Sequence, residues 1–265
     1  MIREIKSRAQ IKRKELLAPS IYRMSIETDL CEDARPGQFV MVYPPDGAKL
    51  LGRPLCIADA GEYLDIVFRT VGAGTGEIAS LNPGESIYIE GPLGQGYPTD
   101  RALTEGKRVL LLAGGLGAPS LLYLAKKFKE EQSDLPFGVI LGYRDSGLNH
   151  FLADDFRNLG IETVIATDDG SEGIRGNVID AMISTGKKPN LIYACGPLPM
   201  LSAVKKYASE NNAEAYISLE EHMACGIGVC LGCVVKTTSK DPHSHVNNAR
   251  ICTEGPVFDA KEVDI

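Results

Sequence analysis

The sequence has no run of about 18 uninterrupted apolar residues, so no helix within it is expected to cross a membrane. Its first residues, MIREIKSRAQIKRK, are basic but lack the apolar stretch of a secretory signal, and a cytoplasmic location is expected. Positive charge is not in excess either. The 28 Lys and Arg against 35 Asp and Glu leave a net charge of −7, which disfavours unspecific binding to nucleic acid or anionic lipid. Small molecules or proteins are the expected partners. Histidine is scarce, four in 265 residues, and no nucleophile and base form a pattern suited to hydrolysis. No internal repeat or low-complexity tract stands out. Disorder is excluded by composition, since 44% of residues are apolar and 24% charged.

What is present is organised in three stretches. Up to about residue 100, short alternating segments read as strands: Tyr22, Met24 and Ile26 against Arg23, Ser25 and Glu27, then PGQFVMVYPP, YLDIVFRT and SIYIEG. Pro- and Gly-containing turns punctuate them at short intervals, the pattern of an antiparallel barrel or sandwich with no long helix. From Lys107 the rhythm changes to apolar runs, VLLLAGG, FGVILGYR, TVIAT and NLIYACG, separated by helical spacing. That is a parallel α/β sheet. One helix after Ser120 should bury Leu121, Leu124, Ala125 and Phe128, another should bury Leu201, Val204 and Ala208, and Gly160 and Gly186 sit where helix C-caps belong. The last stretch, from about residue 213, is rich in Gly and Cys. The expected domains are 1–100, 101–212 and 213–265.

Seven cysteines cannot all pair, and four of them crowd the last 41 residues, which fits metal ligation better than a disulfide framework. Their spacing is Cys225-x4-Cys230-x2-Cys233, with Cys252 following after eighteen residues. This is the plant-type spacing of a [2Fe-2S] cluster, in which three thiolates on one loop converge on two irons. Gly226, Gly228 and Gly232 remove Cβ atoms where the chain would crowd the sulfides and permit positive φ. A structural zinc held by four thiolates is the alternative, although zinc sites usually present two separated C-x2-C knuckles.

Other segments suggest anion chemistry. Arg53, Pro54, Leu55 and Cys56 follow a strand region, Val67, Phe68 and Arg69 end another, and Gly72-Ala73-Gly74-Thr75 offers amides at a helix start. An Arg after a strand can equally be a solvated edge residue. Farther on, Gly114, Gly115 and Gly117 join a parallel strand to its helix, where a pyrophosphate could rest on backbone amides or the glycines could serve only tight packing. From Gly115 the segment reads G-x-G-x-x-S, so the third glycine of the usual dinucleotide signature is missing. Cys195, Gly196 and Pro197 fall on the same edge of the sheet, and Cys195 is either a core thiol or part of a nicotinamide pocket. His150 and His222 have no nameable partner, and His243 and His245 lie in a polar loop that reads as solvated.

Taken in order, Arg53-Pro54-x-Cys56, the GxGT turn, AGGLGAPS, CGPLPM and the cluster cysteines resemble the ferredoxin-reductase superfamily over nearly the whole chain. More narrowly, GPLGQGYP, EEHMACGIGVCLGCVV and CTEGPVF resemble the electron-transfer subunits of NAD-dependent (class 1B) dihydroorotate dehydrogenases. The resemblance implies an FAD-binding β-barrel, a nicotinamide-binding α/β domain and a small ferredoxin-like [2Fe-2S] domain. It implies a flavin and iron–sulfur oxidoreductase subunit that passes electrons to NAD+, with no dihydroorotate-oxidising residues of its own. The implied partner is an FMN-containing catalytic subunit of pyrimidine synthesis, in a heterotetramer of two of each. Flavin contacts are implied at Arg53, Pro54, Leu55, Cys56, Val67, Phe68, Arg69, Gly74 and Thr75, and cluster ligation at the four cysteines. The family commonly has Ser where this chain has Cys56, and Phe where it has Tyr97. The small flavin subunit of a ferredoxin:NADP+ oxidoreductase or sulfide dehydrogenase shares the same domain order and is the alternative.

Overall fold

The structure is a computed structural model, and it describes residues 6–45, 49–148, 150–241 and 245–265; His243 lies outside them. Six antiparallel strands, β1 (Lys6–Ala18), β2 (Ile21–Glu27), β3 (Phe39–Tyr43), β4 (Arg53–Ala60), β5 (Leu64–Arg69) and β6 (Ser86–Leu93), close into a barrel in the order β1-β2-β5-β4-β3-β6. Closure is completed by pairing of β6 with β1, which removes the free edges that an open sheet would carry. Alternation sends Ile11, Met24, Ile26, Val42, Ile66 and Ile89 into the interior, each fully buried. The short helix α1 (Ala73–Ser80) spans the gap between β5 and β6.

The second layer begins with α2 (Arg101–Thr104) and continues as β7 (Val109–Gly114), α3 (Ala118–Glu131), β8 (Phe137–Tyr143), α4 (Ala153–Asn158), β9 (Glu162–Thr167), β10 (Ile174–Arg175), α5 (Val178–Ser184), β11 (Leu191–Cys195), α6 (Leu198–Glu210) and β12 (Glu214–Ser218). The last three strands are β13 (Val234–Lys236), β14 (Asn248–Arg250) and β15 (Val257–Asp259). The sheet order is β10-β9-β8-β7-β11-β12-β15, all parallel except β15, which runs antiparallel to β12. A domain boundary drawn at residue 212 therefore falls just before a strand that pairs with the upstream sheet, and β15 extends that sheet from the C-terminal stretch. The cluster-bearing segment is anchored at both ends by the sheet it follows.

Helix α6 buries Leu201, Val204 and Ala208 as its periodicity predicts. Gly160 and Gly186 have φ of +68° and +69°, and the amides around them close onto the preceding helices, Ile161 N to Phe156 O and Lys187 N to Met182 O. Helix α3 buries more than one stripe, because Leu122 and Tyr123 are covered as well. The reason is that it is wedged between the sheet and the outer wall of the barrel, where Tyr123 Oη donates to Ala34 O at 2.9 Å and Lys126 pairs with Asp59. Beside it Arg23 of β2 bonds Asp155 of α4 at 2.5 Å. These contacts fix the barrel against the carboxyl edge of the sheet.

Candidate functional site

A cavity of about 540 Å³ lies where the three stretches meet. The barrel contributes Arg53, Pro54, Leu55, Cys56, Val67, Phe68, Arg69 and the start of α1 through Thr75. Arg53 lies across the helix start so closely that a Cβ on Gly74 would sit 2.3 Å from its Nη2. Only glycine allows the guanidinium to share that end with the helix amides, an arrangement suited to phosphate oxygens. The same guanidinium is held by Leu51 O through Nη1 at 2.6 Å. Thr75 caps the turn: its Oγ1 accepts from Val71 N at 3.0 Å and Gly72 N at 3.3 Å. Phe68, stacked with Tyr22 at 6.0 Å, gives the cavity an aromatic wall.

The sheet contributes Leu116 and Cys195 to the same cavity. Strand order reverses between β7 and β11, and ligands of such sheets bind in the crevice at that switch point. Here the loops after the two strands touch. A Cβ on Gly117 would be 2.0 Å from Cys195 O, one on Gly114 would be 2.7 Å from Pro197 Cδ, and one on Gly196 would be 2.9 Å from Gly114 N. Gly115 has φ of +51° and open space where a Cβ would stand. Ser120, standing where the third glycine of the fingerprint would be, is buried and its Oγ lies 3.5 Å from the Tyr97 hydroxyl.

The third wall is residues 218–223 together with Pro256. Glu220 is exposed at the rim, yet the walls strip enough water from its carboxyl to raise its pKa. Burial, with Glu220 nearby, pushes the Cys56 thiol up to about 12. Burial, then Glu220, then Cys56 push Cys195 well above its ordinary value. The two thiols are uncharged at neutral pH and add no charge to the cavity wall. Of this wall, sequence reading had quoted EEHM and Pro256 only within motifs of the family resemblance, and had weighed His222 alone as a residue, without a partner. SLEEHM reads locally as a polar loop.

Beyond Met223 the chain enters the cysteine loop. Cys225 lies beside Cys230 and Cys233 beside Cys252, and Cys252 also feels the charge of Cys225, so the four thiols share one locality. Among the described residues no three His, Cys, Asp or Glu side chains gather as a single metal ion would require. Two neighbouring cysteine pairs suit two irons with two thiolates each. Cys230 N points to Cys225 Sγ at 3.5 Å and Gly232 N to Cys230 Sγ at 3.4 Å. Burial tends to raise the Cys225 pKa, but the amides of Cys230, Ile227 and Val229 and the Cys230 side chain outweigh it and bring it down to about 6. Burial and the neighbouring Cys233 thiol hold Cys252 up at about 11, a crowding that a bound cation relieves. Gly226 and Gly228 have φ of +71° and +82°, whereas at the third position Leu231, not Gly232, takes the positive φ of +58°. The residues present fit a [2Fe-2S] cluster.

The profile of the iron-sulfur cluster binding domain of dihydroorotate dehydrogenase B matches residues 220–264. The dihydroorotate dehydrogenase B (NAD(+)) electron transfer subunit of Fusobacterium nucleatum is 39% identical over 258 residues, covering 94% of this chain and 95% of that one. That of Caldanaerobacter subterraneus subsp. tengcongensis is 36% identical, covering 97% of this chain and 98% of its own. The chain belongs to this family.

Among solved structures, a chain of the NADH-dependent reduced ferredoxin-NADP oxidoreductase superposes with a TM-score of 0.83 at 28% identity, covering 97% of this chain and 89% of that one. The ferredoxin NADP+ reductase of Neisseria gonorrhoeae, with a TM-score of 0.66 at 14% identity over 83% of this chain and 96% of its own, shares the fold. This member of the family is thus a flavin and iron–sulfur oxidoreductase subunit of the ferredoxin-reductase fold, with FAD and [2Fe-2S] as its cofactors and NAD as its substrate. No helix among its described residues is long and apolar enough to cross a membrane. His150 Nε2 lies 2.9 Å from a Glu172 carboxylate oxygen without making a hydrogen bond to it, and His245 is exposed.

Proposed function

We propose that this subunit carries electrons from an FMN-bearing catalytic partner, where dihydroorotate becomes orotate, to NAD+ at its own surface. FAD, when bound, supplies the two kinds of exchange this needs, hydride with nicotinamide and single electrons with the cluster. The observation that carries the reading is that one cavity is walled by the barrel, by the switch point of the sheet and by the segment ending two residues before Cys225. Arg53 and the α1 start with Gly74 and Thr75 bind the flavin phosphates. Pro54, Leu55, Cys56, Val67, Phe68 and Arg69 enclose the ring system. Gly114, Gly115, Gly117, Gly196 and Pro197 bind the dinucleotide, and Cys195 orients the nicotinamide. Cys225, Cys230, Cys233 and Cys252 hold the cluster. The functional units are 1–100, 101–212 and 213–265, with β12 serving as the tether between the last two.

The partner docks on the cluster loop, where Ile227, Val229 and Leu231 are exposed beside the exposed Cys230. An apolar patch around a solvent-facing ligand suits a short route to a partner's flavin. The assembly is a heterotetramer of two of each chain, in the cytoplasm.

The test is to purify the chain alone and with its partner. Alone it should oxidise NADH with artificial acceptors and form no orotate; with the partner it should couple dihydroorotate to NAD+. Orotate from the single chain would overturn the division of labour. The superposition with the NADH-dependent reduced ferredoxin-NADP oxidoreductase favours a second reading, a small flavin subunit of such an enzyme. Co-purification with a larger chain carrying FAD and [4Fe-4S] clusters, in place of one carrying FMN, would select it.

A further inference from the structure

The residue after the last cluster cysteine carries a hydroxyl that nothing among the described residues uses. Thr253 Oγ1 is buried and has no hydrogen-bond partner among the described residues, cysteine sulfurs included. Its backbone is fully engaged, the amide donating to Arg250 O at 3.2 Å and the carbonyl accepting from Gln95 Nε2 at 3.1 Å. The backbone that carries the side chain is therefore held on both sides. The side chain presses on the cysteine loop at Gly228, where a Cβ would lie 2.9 Å from Thr253 Cγ2 and 3.2 Å from its Oγ1. Gly228 in turn is held by Arg250, whose Nη1 donates to its carbonyl at 3.4 Å. A buried hydroxyl is costly to leave unpaired, and this one lies against Gly228, whose backbone amide is turned on the Cys252 sulfur, which puts it at the edge of the cysteine cluster.

We propose that Thr253 is a tuning residue of the cluster: its hydroxyl donates a hydrogen bond to a cluster sulfur and raises the cluster's reduction potential. This rests on the reading that the four cysteines hold a [2Fe-2S] cluster. Reduction adds one electron, and the added negative charge is shared by the sulfurs, so a donor aimed at one of them stabilises the reduced state more than the oxidised one. No proton is transferred and no bond is broken. The effect is a shift in an equilibrium between this cluster and the cofactors on either side.

The experiment compares wild type, Thr253→Val, Thr253→Ser and Thr253→Ala as complexes with the partner subunit, by redox titration followed by electron paramagnetic resonance. Thr253→Val keeps the shape and removes the donor, and should lower the cluster potential by about 59 mV for each tenfold loss in the reduction equilibrium, with one such step expected. Thr253→Ser should stay near wild type, Thr253→Ala should follow Val, and the flavin potentials should not move. A second readout is the exchangeable proton coupled to the reduced cluster, detected after transfer of the protein to D2O; it should be present in wild type and Ser and missing in Val and Ala. If Val does not assemble, Ala and the proton signal decide. An unchanged potential in Val or Ala with full iron content, or equal shifts in Ser and Val, would overturn the proposal. A wild-type protein with no [2Fe-2S] signal would instead overturn the cluster reading beneath it.

Discussion

Substituting Gly74 with Ala should weaken FAD binding without weakening the protein. The added methyl would sit 2.3 Å from Arg53 Nη2, and that atom is the far end of a flexible side chain, so the guanidinium swings away and the helix stays. Gly74 is the second residue of α1 and has no positive φ, so alanine there gains helix propensity of about 0.5–1 kcal/mol. What is lost is the pairing of Arg53 with the phosphates. Hydrogen bonds to charged groups are worth roughly 1.5–3 kcal/mol, which at about 1.4 kcal/mol per tenfold predicts FAD affinity down by roughly 10- to 150-fold. Titration of the flavin-free protein, followed by quenching of FAD fluorescence, measures the loss, and its melting temperature should be equal to or above wild type. The decisive arm is a double-mutant cycle with Arg53→Ala. If Gly74 acts only by giving Arg53 its place, Gly74→Ala costs nothing further once Arg53 is gone. An undiminished cost in that background, or a fall in melting temperature, would refute the reasoning.

Gly117→Ala must behave differently, because its methyl would meet backbone, Cys195 O at 2.0 Å, and the two switch-point loops would have to part. NADH oxidation should fall at least tenfold while bound FAD is retained; loss of FAD with it would place the defect elsewhere. The Cys56 thiol, held up at about 12 against an ordinary 9.0, stays protonated at working pH. Iodoacetamide at pH 8 should therefore spare Cys56, and rapid labelling would contradict its environment. The sign for stability follows: Cys56 contributes its full share below pH 9, and the share drains away as pH rises from 9 toward 12, so a Cys56→Ala variant should show a shallower alkaline fall in urea midpoint over that window. Val229, 76% exposed, should tolerate Asp without loss of folding yet weaken association with the partner by tenfold or more in calorimetry; unchanged association would count against docking at the cluster loop.

The cysteines were the most legible feature, since thiolates that must reach two irons from one loop leave a spacing that survives in the sequence whatever the rest of the fold does. The glycine-rich turns were legible for a related reason: Gly74 and Gly117 are dictated by close approach, and their partners Arg53 and Cys195 also stood out. Strand β1 escaped because its polar residues, Arg8 and Gln10 outward against Ala9 and Ile11 inward, mask the alternation in a basic stretch. Strands β12 and β15 are short and gain their place by pairing with each other and with β11, a tertiary fact that no local pattern encodes.

The largest omission was the wall formed by residues 218–223. Its residues are polar and irregular, and they become part of the site only because Ser218 ends β12 at the same sheet edge as Cys195, register partner to it. That pairing has a consequence for how the subunit works. From Cys195 to Ser218 is one strand spacing, and from Ser218 the chain crosses the cavity and reaches Cys225 in seven residues. A single sheet edge thereby sets the position of the proposed nicotinamide site and of the nearest proposed cluster ligand together. Electron transfer is steeply sensitive to spacing, and a hinge between separately mobile domains would put that spacing at risk. Continuation of the nicotinamide sheet into the cluster segment, rather than a linker at residue 212, removes the hinge.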